Sequence, residues 1–488
     1  MVLAFLVLTL VVGLYVSRGT TTFREYAVGN KRFDTTSLVA TVLATMFGGG
    51  ALMRTVPDIY DQGIVCIVYV FGLVINSYIV NLLALRMGPF MQHLSMAETI
   101  GSVYGKYPRM IAALLATSLV VGVVAIQINV MSCAIGMCMD GIDPCMVTVL
   151  ATLILISYAA LGGIRAVTIT DLFQLATFSV VIPLLVRFVF VKTGKSFVEV
   201  VWFVQQQEKF QCSNLFQFNG KGLATVLEVL ACLFLFDPPI VQRIYMSSSP
   251  MQVKKGFLRV MLFGLMIWVG IFLMALFVFV GDPTLLKHEV WSYILVDMSP
   301  AYKGCVVISI LAMTMSTADS CLHTAAIMVS HDIMEGIRGV KTVSAVHKLR
   351  LAQCTTLVTG LLAMTVTVDH PDLFELSTFV FSYLMPFFYI AIVPPFILAI
   401  FGFRGTTRTA LMGMTMGVLV SLACEKWITV EINWEFISVV ANGLAMMAAH
   451  YLLPQPPGKG WIEPDHQQQR MVQLIRAFKK YKKSIDLE

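Results

Sequence analysis

The sequence predicts an all-α polytopic membrane protein, and three observations predict it. The 488 residues are 58% hydrophobic and only 13% charged, with a mean hydropathy of +0.81. A soluble chain of this size has too few polar groups to cover that much apolar surface. Apolar runs approaching the roughly 20 residues needed to cross a bilayer recur along nearly the whole chain. Lys and Arg fall mainly in alternate loops, as the positive-inside rule requires. The net charge of +6 follows from that placement and indicates no nucleic acid.

In chain order the apolar segments lie at roughly 1–17, 36–56, 63–85, 108–137, 142–160, 169–191, 223–242, 257–280, 302–330, 348–368, 374–402, 410–424 and 436–453, thirteen in all. The segments at 142–160 and 410–424 are short for a crossing. Met1 opens directly into an apolar run without a charged leader, unlike a typical signal peptide. With the N-terminus outside and the C-terminus in the cytoplasm, 25 of the 34 basic residues fall on the cytoplasmic side. A bacterial inner membrane is the expected location. The tail from Pro454 to Glu488 ends in a basic amphipathic run, Ile475 to Ile485, that is expected to be solvated or to touch anionic lipid. It is too short for a catalytic or regulatory domain.

Several classes of chemistry find no support. The ten cysteines show no CxxC pair, and most lie in apolar runs as small hydrophobes. The eight histidines have no metal-ligand spacing. No phosphate-binding glycine loop is present, so neither an enzyme nor an ATP-driven pump is expected. No cofactor is expected either.

Some spans are not ordinary. The second contains Gly48-Gly49-Gly50, poor helix interior at about 1 kcal/mol per glycine relative to Ala in water. The triplet is consistent with a local unwinding that lines a cavity, or with close packing against a neighbouring helix. Glu228 lies in the seventh span, where an acid faces a polar path or a structural partner. Ser316 and Thr317 sit side by side in the ninth. They suit a hard cation that wants oxygen ligands, or they bond their own helix at the i−4 carbonyl. Asp319 shares their helix face, three residues after Ser316. Pro386 marks a break or a kink in the eleventh span. Broken helices meeting acids and hydroxyls at mid-membrane are the construction of ion-coupled secondary transporters.

A set of short motifs in fixed order narrows this. Glu25-Tyr26 with Gly29 and Lys31, Leu94 to Glu98 followed by Tyr104-Gly105, Gly162-Gly163 through Ala166-Val167 and Thr170-Asp171 to Gln174, then Gln242-Arg243, and finally Ser316 to Ser320 occur along the chain. Together they resemble the sodium:solute symporter family, which includes sodium/proline, pantothenate, sugar and iodide carriers. The resemblance covers roughly 5–450.

It implies a ten-helix inverted-repeat core of the LeuT-like type, made of spans two to six (36–191) and seven to eleven (223–402). One helix and a loop (1–35) precede it, a loop (192–222) joins the halves, and two helices (403–453) and the tail (454–488) follow. It implies a coupling-sodium site between spans two and nine, formed by carbonyls of Ala44, Phe47 and Met313 and hydroxyls of Ser316 and Thr317. Asp171 and Asp319 would lie on an ion exit path. Gly49, Asn76, Gln127, Glu228 and Tyr383 are candidate substrate-cavity residues. The expected function is inward symport of a small organic solute with sodium through the lipid bilayer, with no obligatory protein partner. Met46 and Gly48 depart from the pattern of the sodium/proline carriers, and Met313 stands where the family usually has alanine. They keep open a proton-coupled or uncoupled carrier of the same fold; a transporter-like solute sensor is a separate alternative.

Overall fold

A computed structural model describes residues 1–17, 22–137, 143–211, 236–338, 344–427 and 434–461. The chain begins with α1 (Val2–Ser17) and α2 (Phe23–Val28), then α3 (Thr35–Met46), α4 (Gly49–Gln62) and α5 (Ile64–Leu83). Next come α6 (Met96–Tyr104), α7 (Lys106–Gly136), α8 (Pro144–Lys192) and α9 (Phe197–Gln205). They are followed by α10 (Pro238–Met246), α11 (Pro250–Gly281), α12 (Val290–Leu295), α13 (Pro300–Ile327) and α14 (Met334–Arg338). The last are α15 (Ala345–Asp369), α16 (Leu373–Phe379), α17 (Met385–Ile400), α18 (Thr407–Trp427) and α19 (Trp434–Leu452). A two-residue antiparallel pairing, Phe403 with Trp461 and Arg404 with Gly460, ties the end of α17 to the chain after α19.

Local chemistry sets many of the ends. Asp34 caps α3 by accepting from the Thr36 N–H at 3.0 Å. Ser95 caps α6 through the Glu98 N–H at 2.9 Å. Ser299 caps α13, with Pro300 in the first turn, where a missing N–H costs nothing.

The expected thirteen spans with a LeuT-like ten-helix repeat need correction. Among the described residues nine helices are long and apolar enough to cross a membrane, ten if α3 and α4 count as one bent span. Three causes account for the difference. α1 has 16 residues, short of a full crossing. The segments at 142–160 and 169–191 share one helical stretch, α8, kinked at Gly163 (φ 56°). Residues 223–235 of the segment at 223–242 fall outside the described residues, and the rest belongs to the short helix α10 and the two residues before it. The five-plus-five pairing of spans drawn from the sequence therefore does not match the helices found.

From Ser309 to Ile327 every residue of α13 is buried, and the helix packs on α7, α8, α15 and both halves of the bent span. That bend is 56° between α3 and α4. It falls at Phe47 (ψ 73°) and Gly48, whose backbone is extended (ψ 153°). Both readings of the glycine triplet are realised, at different residues. Gly48 lies in the break, whereas Gly49 lets α4 approach α13. A Cβ on Gly49 would lie 2.2 Å from the Thr314 Cγ2 and 3.1 Å from the Ile310 carbonyl oxygen.

Gly49→Ala is accordingly expected to lower the thermal unfolding midpoint of the purified protein, with a cost of roughly 1–3 kcal/mol from overpacking. Gly443→Ala in α19, where a new Cβ meets nothing within 4 Å, is expected to leave the midpoint unchanged or raise it. Equal midpoints for the two variants would contradict the close approach of α4 to α13.

Candidate functional site

The break removes part of the helical ladder. Phe47 N–H still donates to the Leu43 carbonyl at 3.0 Å, but the next carbonyls of α3 lose their intrahelical donors. The ninth-span hydroxyls reach them. Ser316 Oγ donates to the Ala44 carbonyl at 2.9 Å and to its own helix at the Met313 carbonyl at 3.0 Å. Thr317 Oγ1 donates to the Thr45 carbonyl at 3.2 Å, with the Ala44 carbonyl at 3.5 Å. Ala44, Met313, Ser316 and Thr317 are thus brought together, all buried. Phe47 sits at the bend itself, its ring 5.1 Å from that of Trp268. The result is a compact set of neutral oxygens, the donor type a small hard cation prefers.

A polar chain leaves this cluster along α3. Thr45 Oγ1 lies 3.0 Å from Ser320 Oγ, and Ser320 contacts the Arg243 guanidinium. Arg243 Nε donates to Thr41 Oγ1 at 3.1 Å, and Thr41 in turn bonds Asp171. Asp171 lies 3.9 Å from Arg243 Nη2, and Asp319 accepts from the Tyr158 hydroxyl at 3.1 Å. Asp171, Asp319 and Arg243 are all fully buried, so one guanidinium is set among two carboxylates away from water.

On the other side of the break is a cavity of about 440 Å³. Its wall includes Phe47, Gly48, Arg54, Gln127, Trp268 and Thr317. Gln127 Oε1 accepts the Gly50 N–H at 3.2 Å and so closes the start of α4. Thr317 therefore belongs both to the oxygen cluster and to the cavity wall. A Cβ on Gly48 would lie 2.8 Å from Thr317 Oγ1, which leaves little space between cavity and cluster.

Of the cavity residues singled out from sequence, Gln127 lines the wall; Gly49, Asn76 and Tyr383 are not among the lining residues. Gly49 faces Thr314, Asn76 is buried on α5, and Tyr383 is half exposed beside Phe379. Glu228 lies outside the described residues. Pro386 opens α17 after a π-helical turn, Val380–Leu384, whose Phe381 lines the cavity.

Sequence reasoning missed Arg54, Asp58 and Trp268 in the wall. The charges at 54 and 58, in and beside an apolar span, were the available signal. It also missed a network at the far end of α13. Arg109 Nε pairs with Asp332 at 2.7 Å, Arg109 Nη2 pairs with Glu335 at 3.0 Å, and Ser95 Oγ donates to Asp332 at 2.6 Å. These contacts tie α6 and α7 to the continuation of α13.

Known proteins give the site its context. The chain is 24% identical over 339 residues to the sodium/sialic acid symporter NanT of Aliivibrio fischeri, covering 64% of each chain. It is 22% identical over 478 residues to the sodium/sialic acid symporter SiaT of Proteus mirabilis, covering 92% of this chain and 93% of that one. Its fold is similar to the substrate-bound outward-open structure of a sodium-coupled sialic acid symporter, with a TM-score of 0.79 at 20% identity over 93% of this chain and 97% of that one. The fold is also similar to that of MhsT in complex with L-phenylalanine, with a TM-score of 0.53 at 12% identity over 85% of this chain and 98% of that one. The profile of the sodium:solute symporter family matches residues 26–417, well over half of the sequence. The chain belongs to the sodium:solute symporter family.

Proposed function

We propose that this chain, by its family a sodium-coupled secondary active carrier of a small organic solute and not an enzyme, binds one sodium ion where α3, α4 and α13 meet. The ligands are the carbonyls of Ala44, Phe47 and Met313 and the hydroxyls of Ser316 and Thr317. The observation that carries this reading is the set of hydroxyl-to-carbonyl hydrogen bonds that α13 makes across the break. Without an ion those hydroxyls satisfy carbonyls that a bilayer cannot hydrate. An arriving ion takes over the carbonyls, and the hydroxyls turn their lone pairs toward it. The bent span is then fixed against α13.

Coupling needs ion and solute to stabilise shared states. Thr317 and Phe47, which are both proposed ion ligands and part of the cavity wall, give the two ligands such a shared element. In our reading the solute occupies the cavity, the N-terminus lies outside and the C-terminus in the cytoplasm. Alternating access then carries solute inward with sodium, at about 2.3 kcal/mol per charge per 100 mV of potential. The hydrogen-bonded chain through Thr45, Ser320, Thr41 and Arg243 supports Asp171 and Asp319 as the way out for the ion. Sialic acid, the cargo named for both curated relatives, is the first solute to test.

Ser316→Ala with Thr317→Ala is expected to raise the sodium concentration for half-maximal uptake in proteoliposomes by about tenfold or more, or about 1.4 kcal/mol of lost ion binding. An unchanged sodium dependence would remove the site from α13. Asp171→Asn is expected to act differently. It should slow uptake, and slow sodium-dependent solute exchange across the membrane, while equilibrium sodium binding changes little. Loss of sodium binding in step with uptake would place Asp171 at the ion itself and not on its exit.

A further inference from the structure

We infer that the solute this cavity takes carries a single carboxylate, recognised by Arg54. The inference rests on the reading of the cavity as the solute site.

Arg54 lies on the cavity-facing stripe of α4. Ala51, Arg54, Thr55, Asp58 and Gln62 all line the wall, at the three- and four-residue spacing of one helix face. Its hydrogen-bonding capacity is not fully spent inside the protein. Arg54 Nε pairs with Asp58 Oδ2 at 3.3 Å, while Lys287 Nζ takes the other oxygen, Asp58 Oδ1, at 2.5 Å. Arg54 and Lys287 thus share the Asp58 carboxylate at this end of the cavity. Arg54 Nη1 is buried and has no hydrogen-bond partner among the described residues. A buried guanidinium donor without an acceptor is costly, and an incoming carboxylate oxygen removes that cost.

Phe381 restrains the group. The Arg54 Cζ lies 5.2 Å from its ring centroid, a cation–π distance that restricts the guanidinium before any ligand arrives. Preformed contacts of this kind reduce the ordering required on binding. The rest of the wall sets the remaining chemistry. Phe47 and Trp268 supply an apolar face. Asp237 and Glu435 also line the wall, and Asp237 is bonded to the Tyr389 hydroxyl. Two further carboxylates disfavour a multiply charged anion and suit a monocarboxylate whose other polar groups are donors, such as hydroxyl, amide or ammonium. About 440 Å³ suits a small solute of that kind.

The test uses the purified full chain and sodium-dependent thermal stabilisation, with potassium as the control. The probes are N-acetylneuraminate, L-phenylalanine and benzoate, each beside its uncharged-carboxyl methyl ester. At least one acid is expected to stabilise the protein in sodium, with its ester bound about tenfold more weakly or worse. Arg54→Gln is expected to abolish that preference for the acid, and Arg54→Lys to retain part of it because the charge remains without the planar fork. The shift produced by sodium alone should be the same in both variants, which shows that they fold and that the ion site is intact. Three results would overturn the assignment: an ester bound as tightly as its acid, unchanged acid binding by Arg54→Gln, or no binding of any of the three acids. Acid binding that ignores sodium but depends on Arg54 would count against the proposed ion site and leave this assignment in place.

Discussion

The architecture depends on one constraint: a helix broken inside a membrane must have its freed carbonyls satisfied by protein. Here α13 meets that demand with two adjacent hydroxyls. Ser316 bonds the Ala44 carbonyl at 2.9 Å and Thr317 the Thr45 carbonyl at 3.2 Å. The bend of 56°, the burial of α13 and the position of the cavity all follow from keeping α3, α4 and α13 in register at that point. Gly49 makes the approach sterically possible, and Gln127 closes the other side through the Gly50 N–H.

Sodium-coupled carriage is intelligible from the same contacts. In the proposed sodium site the hydroxyl–carbonyl bonds across the break are weak, neutral and arranged around shared oxygens, so a bound ion would replace them without unpairing a buried charge. Charge is held in reserve farther along α3, where Arg243 stands among Asp171 and Asp319. At the remote end of α13 the Arg109, Asp332 and Glu335 network fastens α6 and α7. The central helix is therefore anchored by strong ionic contacts at one end and by exchangeable ones at its middle, a distribution suited to motion about the break.

What was legible in the sequence was mostly what a bilayer penalises. Composition and loop charge established the membrane class, because apolar excess has no soluble solution. Three consecutive glycines and two hydroxyls in apolar runs were visible as exceptions, and the fold brings both to one point. Asp171 and Asp319, 148 positions apart in number, meet around Arg243, which no local pattern reveals. Span counting failed where hydropathy has no knowledge of continuity: α8 runs through two expected segments, and α1 is too short. Cavity lining was the least legible feature. Asn76 and Tyr383 have suitable chemistry, but which face of a helix meets a cavity depends on packing partners distant in sequence. Arg54 was visible as a charge, yet its sharing of Asp58 with Lys287 appears only in the fold.

The central claim, that sodium binds by joining the break to α13, is tested most directly by hydrogen–deuterium exchange of the purified protein in sodium against potassium. Sodium is predicted to slow exchange of residues 44–50 and 313–317 together, and to lose that effect at both segments when Ser316 and Thr317 are replaced by alanine. Sodium-dependent uptake accompanied by unchanged exchange at both segments would contradict it.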